Sequence, residues 1–386
     1  MAHYTTIMNE LLNLIPRHRF ETVVNNLSGN RYVKRFDCWN QLTVLLYAQA
    51  SGKDSLRDIE QGFQVNSERL YHFGLPAIKR STLADANKTR NYRMFESLFY
   101  RLLERCKDVT PKHKFKFKNP LYTLDATVID LCLAAFPWAK FRTTKGALKL
   151  HYQFDHSGQI PNFLVVTDAK HHEVRVAQKN FALISDSIYC FDKGYLDFGW
   201  FRRIKETKSS FVTRAKDNLK YEVIGQHNEP NKKGVLSDEI IILSGYYQSR
   251  EYPDKLRLIR YYDKETEKTL TFLTNNFNLC SLTIAQIYKA RWQIEIFFKW
   301  IKQNLKIKTF LGTSKNAVLT QIWVAMCYYL ILAYIKYQTK YKYSLFYLHR
   351  VIRETLLSRL TLIDLLHASE KILPKLKREE FQYAFL

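Results

Sequence analysis

Cysteine pairs, backbone breakers, negative charge and long apolar runs are all scarce in this 386-residue sequence. The six cysteines, Cys38, Cys106, Cys132, Cys190, Cys280 and Cys327, form no C-x-x-C pair. That excludes a disulfide framework and the usual zinc knuckles, and leaves buried thiols in a reducing compartment as the expectation. Only 12 Gly and 9 Pro occur, with no low-complexity tract and no internal repeat, which excludes a linker-rich chain or a solenoid. The longest apolar run, IWVAMCYYLILAYI from Ile322 to Ile335, falls short of the roughly 18 residues a membrane span requires. Between Gln321 and Lys336 it is expected to be a buried helix, and no membrane partner is expected. MAHYTTIMNELLNLIP at the N-terminus lacks an uncharged apolar core and a small-residue cleavage site, so a cytoplasmic protein is expected.

Positive charge is what the sequence has instead. Sixty Lys plus Arg against 36 Asp plus Glu give a formal charge of +24. Such an excess opposes compactness and favours a polyanionic partner: DNA, RNA or an anionic membrane. With 25 Phe and 25 Tyr there is apolar volume for several cores, and the length suits two or three structural units.

Residues 1–110 read as helical, with NELLNLIP, WNQLTVLLYAQASG and SLRDIEQGF carrying apolar residues at helical spacing between Gly, Pro and Ser breaks. Ser55 is expected to cap a helix opened by Leu56, and Ser81 one beginning near Thr82. The segment PAIKRSTLADANKTRNYRMF gives a basic helix with Lys88, Arg90 and Arg93, as in a helix-turn-helix DNA reader. Residues 111–120 form a basic linker in which Phe115 and Phe117 alternate with lysines. Those rings either stack on bases or turn inward from an edge strand.

From Leu121 the pattern becomes strand-like. LYTLDATVIDLCL, LKLHYQFD and IPNFLVVTD are followed by a helix (HHEVRVAQKNFALIS), a strand (SIYCFD), a helix (YLDFGWFRRIKET) and a strand (SFVTRAK). Three strands, helix, strand, helix, strand is the order of a ribonuclease H-like α/β core, an analogy of topology that fixes no activity. The expected organisation is a helical domain over 1–110, the linker over 111–120 and the first part of the core over 121–217. An all-β insertion follows over 218–278. The second part of the core over 279–340 carries a long helix from Ser281 to Asn304, and 341–386 is helical.

That long helix holds YKARWQIEIFFKWIK. At 100° per residue, Tyr288, Arg291, Glu295 and Lys302 fall within a stripe about 60° wide, bordering an apolar face of Ile287, Ile294, Phe298, Ile301 and Leu305. From the helix alone, an amphipathic surface laced with ion pairs is the simpler account. Two strand aspartates alter the balance. Asp125 lies inside an apolar strand, where a carboxylate is costly unless paired or metal-bound. Asp192 ends the strand IYCF ahead of Lys193-Gly194-Tyr195, at the carboxyl end where α/β sheets gather ligands. Three such carboxylates call for a hard cation, Mg²⁺ or Mn²⁺, and two ions about 4 Å apart suit an in-line phosphoryl displacement. The histidines His151, His156, His171 and His172 fit no usual zinc spacing.

These residues carry a resemblance. The Y-x2-R-x3-E-x6-K spacing at 288, 291, 295 and 302 is similar to the hallmark of the bacterial insertion-sequence DDE transposases of the insertion-sequence-four family. LDATVID around Asp125 and DKGY from Asp192 resemble that family's first and second acid motifs. KGALKLH at 145–151 and STLADANKTR at 81–90 resemble two further segments. The resemblance covers essentially the whole chain. It implies a ribonuclease H-like core with a β insertion between Asp192 and Glu295, preceded by a helical DNA-binding domain. Asp125, Asp192 and Glu295 would be catalytic metal ligands for Mg²⁺, with Mn²⁺ as substitute. Tyr288, Arg291 and Lys302 would bind DNA phosphates, with Lys88 and Arg90 as N-terminal contacts. It further implies duplex DNA as partner, cut-and-paste chemistry through hairpin ends, a homodimer in the synaptic complex, and a nucleoid-associated protein. The rival readings are a domesticated DNA-binding regulator without catalysis and a stand-alone nuclease.

Overall fold

A computed structural model describes residues 5–70, 73–140, 146–170, 172–227, 234–307 and 309–369. The chain divides into two compact units. One comprises Met1–Pro111, Ala134–Trp138 and Trp300–Leu386, the other Lys112–Leu133 and Ala139–Lys299.

The first unit is helical: α1 (Ile7–Asn13), α2 (Arg17–Asn26), α3 (Cys38–Ser51), α4 (Leu56–Val65), α5 (Ser67–Leu70), α6 (Arg80–Thr89) and α7 (Arg93–Val109). Its boundaries follow local chemistry. Asp37 and Asn40 form a reciprocal capping box on α3, and Gly52 ends that helix at φ 71°, a left-handed turn that glycine adopts without a Cβ clash. Ser55 caps α4 as expected, its hydroxyl accepting the Asp58 N–H at 3.1 Å. The Ser81 expectation is corrected: α6 begins at Arg80 with Lys79 preceding it and no side-chain cap, which leaves Ser81 inside the first turn.

The apolar run belongs to α13 (Lys315–Gln338), the one helix among the described residues long and apolar enough to cross a membrane. Residues from Ala317 to Ala333 are all buried, against α3, α6, α7 and α14 (Leu345–Thr355) of the same unit. A helix apolar on every side is stable when neighbours cover every side, and here they do.

The second unit is built on a mixed sheet with α-helices on it. Its strands are β1 (Leu121–Leu131), β2 (Gly146–Asp155), β3 (Ile160–Asp168), β4 (Ile188–Phe191), β5 (Ser210–Arg214), β6 (Tyr221–Gln226), β7 (Val235–Leu243), β8 (Leu256–Asp263) and β9 (Lys268–Thr274). The order across the sheet is β3-β2-β1-β4-β5-β9-β8-β7-β6. β1, β2 and β3 pair antiparallel, while β4 runs parallel to both β1 and β5. The helices α8 (Glu173–Asn180) and α9 (Phe198–Glu206) fall between strands as the sequence pattern requires.

Residues 218–278 depart from an all-β insertion in two ways. Their strands continue the core sheet, since β9 pairs antiparallel with β5 through Val212–Thr274 and Thr213–Leu273. The segment also contains α10 (Tyr246–Glu251), where the sequence reads as strand. Gly245 precedes it, and the adjacent tyrosines are 64% and 76% exposed, so no inward face held them in a ladder.

The long helix is two. α11 (Ser281–Ala290) and α12 (Trp292–Asn304) meet at Arg291. The Arg291 N–H donates to the Tyr288 carbonyl and the Ile294 N–H to the Arg291 carbonyl, both three residues back at 3.1 Å. This tighter winding turns Arg291 relative to a uniform α-helix. One sheet face carries Tyr122, Leu124, Tyr189 and Phe191 against α9, and the other carries Leu121, Ile188 and Cys190 against Ile284, Ala285 and Ile287 of α11.

Candidate active site

Strand alternation decides where the acids go. Leu121 faces α11, so Asp125, four positions on, points to the same face. Ile188 and Cys190 share that face, and Asp192 continues their parity. The parallel register pairs Leu124 with Phe191, so its next step sets Asp192 beside Asp125. Asp130, an odd number of positions from Asp125, is exposed on the other side.

The helix pair brings the third acid. Arg291 Nη1 donates to Asp125 Oδ2 at 2.9 Å, and Nη2 donates to Glu295 Oε1 at 2.7 Å. One guanidinium thus bridges a strand carboxylate and a helix carboxylate 170 positions apart in sequence (295 − 125). Asp125 and Arg291 side chains are each 15% exposed and Glu295 is 35% exposed, so the pair lies at the bottom of the site and Glu295 at its rim.

Asp192 is held by its own turn. Its Oδ1 accepts the Gly194 N–H at 2.8 Å, and a Cβ at Gly194 would approach that oxygen to 3.0 Å. Glycine at this position therefore lets the carboxylate sit close to the backbone. Thr213 on β5 donates its hydroxyl to the Asp192 carbonyl at 3.2 Å.

Burial pushes the Asp125 carboxyl up to about 7; the Ala126 N–H and Arg291 oppose the rise, and the charges of Asp192 and Glu173 reinforce it. Glu173 opens α8 and is paired with Lys149 at 2.5 Å. Burial likewise pushes the Tyr288 hydroxyl up to about 12. The Tyr288 ring packs on Phe272 at 5.0 Å, tilted by 42°, and the Arg291 guanidinium lies 5.7 Å from its centre. Tyr195, fully buried beside Phe191 and Trp200, keeps a hydroxyl with no hydrogen-bond partner among the described residues.

A group with a raised folded-state value binds its proton more tightly when folded. Its stabilisation is complete below the unfolded carboxyl value and is lost as pH rises through the folded value, here between about 4 and 7. Metal-free protein above neutrality thus carries a strained ionised Asp125. In EDTA at pH 8, Asp125→Asn is expected to raise stability by on the order of 1–2 kcal/mol, a gain that vanishes near pH 4. A variant that melts at or below wild type at pH 8 would contradict this account.

Hard carboxylate oxygens are the donor set that divalent magnesium or manganese takes. Among the described residues, no group of three or more His, Cys, Asp or Glu side chains lies close enough to hold a metal ion. Arg291 stands between Asp125 and Glu295 as the cation instead. Arg291 Nε, beside the two carboxylates, is buried without a hydrogen-bond partner among the described residues.

Of the remaining sequence-derived residues, Lys302 is half-buried two turns beyond Glu295 on α12. Lys88 is exposed in the last turn of α6. Arg90 is half-buried and engaged within the helical unit. Its Nη1 donates to the Asp37 carbonyl at 2.8 Å and to Gln41 at 3.3 Å, its Nη2 donates to the Phe36 carbonyl, and it lies over the Phe36 ring at 5.4 Å. His151 and His156 bond Thr167 and Thr123 at 2.9 and 2.6 Å, and His171 lies outside the described residues.

The sequence reading missed a buried network behind α11. Asp238 and Arg257 are both inaccessible and paired in two bonds, Nε to Oδ1 at 2.9 Å and Nη2 to Oδ2 at 2.6 Å. Ser281, the first residue of α11, donates to Asp238 at 2.5 Å, and Arg257 Nη1 donates to the carbonyls of Asn276 and Leu279, each at 2.7 Å. The network fixes the start of the helix that delivers Tyr288 and Arg291. The available signal was an acidic residue in the apolar strand VLSDEIIIL and an arginine near the start of LRLIRYYD.

Residues 116–331 match the family described as Transposase DDE domain, and residues 3–76 match a domain of unknown function. The chain is 35% identical over 254 residues to the Sinorhizobium fredii protein "Putative transposase y4zB", covering 65% of this chain and 69% of that one. It is 27% identical over 272 residues to the Geobacillus stearothermophilus protein "Probable transposase for insertion sequence element IS5377", covering 69% and 70%. Among solved structures, the piggyBac transposase synaptic complex with hairpin DNA aligns over 94% of this chain and 79% of that one. The TM-score is 0.46, at 9% identity.

Proposed function

Because this chain belongs to the DDE transposase family, enzymes that cleave DNA and transfer its strands with divalent metal ions, we propose that Asp125, Asp192 and Glu295 are its catalytic metal ligands. The observation that carries this reading is the bridge from Arg291 to Asp125 and Glu295, which joins acids from a strand and a helix through a cation.

We assign it to the insertion-sequence-four family, with Tyr288, Arg291, Glu295 and Lys302 as its signature set. The substrates are the terminal inverted repeats of an insertion sequence and the target duplex. The cofactor is Mg²⁺, as two ions, with Mn²⁺ as substitute. When bound, these ions activate the attacking hydroxyl and stabilise the leaving oxygen of an in-line displacement. The chain's own residues do the rest. Arg291, displaced from the carboxylates, is positioned to take a phosphate oxygen with its planar fork. Tyr288 backs that guanidinium with its ring, and Lys302 supplies a second cation farther along α12. The β6–β9 segment is the insertion between the second and third acids, continuing the core sheet.

Water attack frees a 3′ hydroxyl, and that hydroxyl attacks the opposite strand, giving hairpin ends in a cut-and-paste route. Two protomers hold the two ends, and the working location is the nucleoid. Lys88 is the proposed contact of the helical N-terminal region.

The test is incubation of purified protein with a duplex ending in the inverted repeats that flank the gene. Nicked and hairpin products are expected with Mg²⁺ or Mn²⁺ and none in EDTA. Cleavage that persists in EDTA, or products without end specificity, would argue for a different enzyme.

A further inference from the structure

Residues 112–118, KHKFKFK, alternate lysine with an aromatic ring although the segment forms no strand. Lys112, Lys114, Lys116 and Lys118 are all exposed, and His113, Phe115 and Phe117 are half-buried. The alternation is held by packing. Phe115 and Phe117 stack at 5.2 Å and 19°, both pack on the cluster that includes Leu121, Ile188, Ile284 and Ile287, and His113 lies on Phe117 at 4.8 Å. His113 Nε2 is 2.8 Å from the Asn119 carbonyl, which closes the segment ahead of β1.

Three features separate this segment from a solvated linker. A linker does not bury rings in a core. Four like charges at two-residue spacing repel one another, and among the described residues none of the four is paired with a carboxylate. The rings share their cluster with Tyr288, so the lysine row borders the sheet face that carries the acids and Arg291.

We propose that Lys112, Lys114, Lys116 and Lys118 form a phosphate-binding comb for duplex DNA of no particular sequence. The proposal rests on the transposase reading and adds a second, non-catalytic contact surface to it. Lysine is a point charge that reads phosphate without reading bases, so the comb adds affinity and not sequence choice. The rings are committed to each other and to the core, which removes the stacking platform that single strands require. Four consecutive alternate residues span at most roughly 20–25 Å of extended chain, so the comb follows one stretch of backbone.

The experiment compares wild type with Lys112→Gln/Lys114→Gln/Lys116→Gln/Lys118→Gln on a random-sequence duplex, reading Kd across a salt series. Each neutralised phosphate contributes about 0.9 to the slope of log K against log salt, so losing four contacts is expected to reduce the slope by roughly 3.6. The matching four Lys→Arg variant keeps the wild-type slope, which separates lost charge from lost fold. Single-turnover cleavage with all DNA bound should stay within about threefold of wild type. A Lys→Gln variant with an unchanged slope overturns the comb, as does a slope loss seen only on single strands. Failure of the transposase reading looks different: wild type itself would not cut its ends, whatever its salt slope.

Discussion

Glu295→Gln is expected to reduce single-turnover cleavage of transposon ends by roughly 10³-fold or more, with end binding within about threefold of wild type. The substitution keeps shape and removes one charge at a side chain 35% exposed, so little packing is lost. Arg291 keeps its bond to Asp125, and the fold around β1 and α12 persists. What disappears is one of the three proposed oxygen donors, on the helix that Arg291 ties to Asp125. Binding is measured without divalent ions and cleavage with them, on the same DNA. A rate loss below tenfold would remove Glu295 from the chemistry and leave it a partner of Arg291.

The second large effect is on stability. Asp238→Asn strands the buried Arg257 without its counter-charge and is expected to cost about 3–5 kcal/mol, lowering the melting temperature by roughly 10 °C or more. Replacing both partners by apolar residues, Asp238→Leu with Arg257→Met, should recover a large part of that loss, because no lone buried charge remains. Leucine has no oxygen to accept the Ser281 hydroxyl, so in the double variant the start of α11 loosens and Arg291 loses its aim. Cleavage should therefore fall even in the recovered double variant.

The pH dependence of this effect has a definite sign. Burial alone would raise the Asp238 carboxyl, but hydrogen bonds from Arg257 and Ser281 and the charges of Arg257 and His227 hold it below the usual range. A depressed carboxyl contributes stability that is present above its unfolded value, about 3.9, and is lost as pH falls through the folded value. The gap between wild type and Asp238→Asn should thus be full at neutral pH and shrink below about pH 4. An equal gap at pH 7 and pH 3 would show that the pair's charge is not what stabilises it.

Much of the site was legible because it is local. Arg291 and Glu295 are four residues apart on a helix, and the periodicity that groups them with Tyr288 comes from 3.6 residues per turn. Asp125 was marked by burial in an apolar strand and Asp192 by its strand end. The glycine in DKG has an equally local reason, the close approach of Asp192 Oδ1.

Other features depend on distant segments and were not visible in the sequence. Arg90 stands in a basic segment, yet its donors point inward because loop carbonyls at Phe36 and Asp37 need partners. Tyr246 and Tyr247 have strand propensity but fold as helix after Gly245, with no ladder available to them. The sequence left two options open for Phe115 and Phe117, and packing on the sheet-face cluster selects the inward one, although the segment forms no strand.

The sequence by itself determined the element order of the core, the capping of α4, the apolar helix α13 and the presence of a strand aspartate, a strand-end aspartate and a helix glutamate. Each rests on residue spacing within one element, where backbone geometry leaves few choices. Tertiary structure alone decided that Asp125 meets Arg291 across the fold, that β9 joins β5 and extends one sheet, and that the helix winds tighter at Arg291. It also decided that a buried Asp238–Arg257 pair anchors α11. These depend on pairings between distant segments, which burial selects only once the strands are side by side and which no local period records.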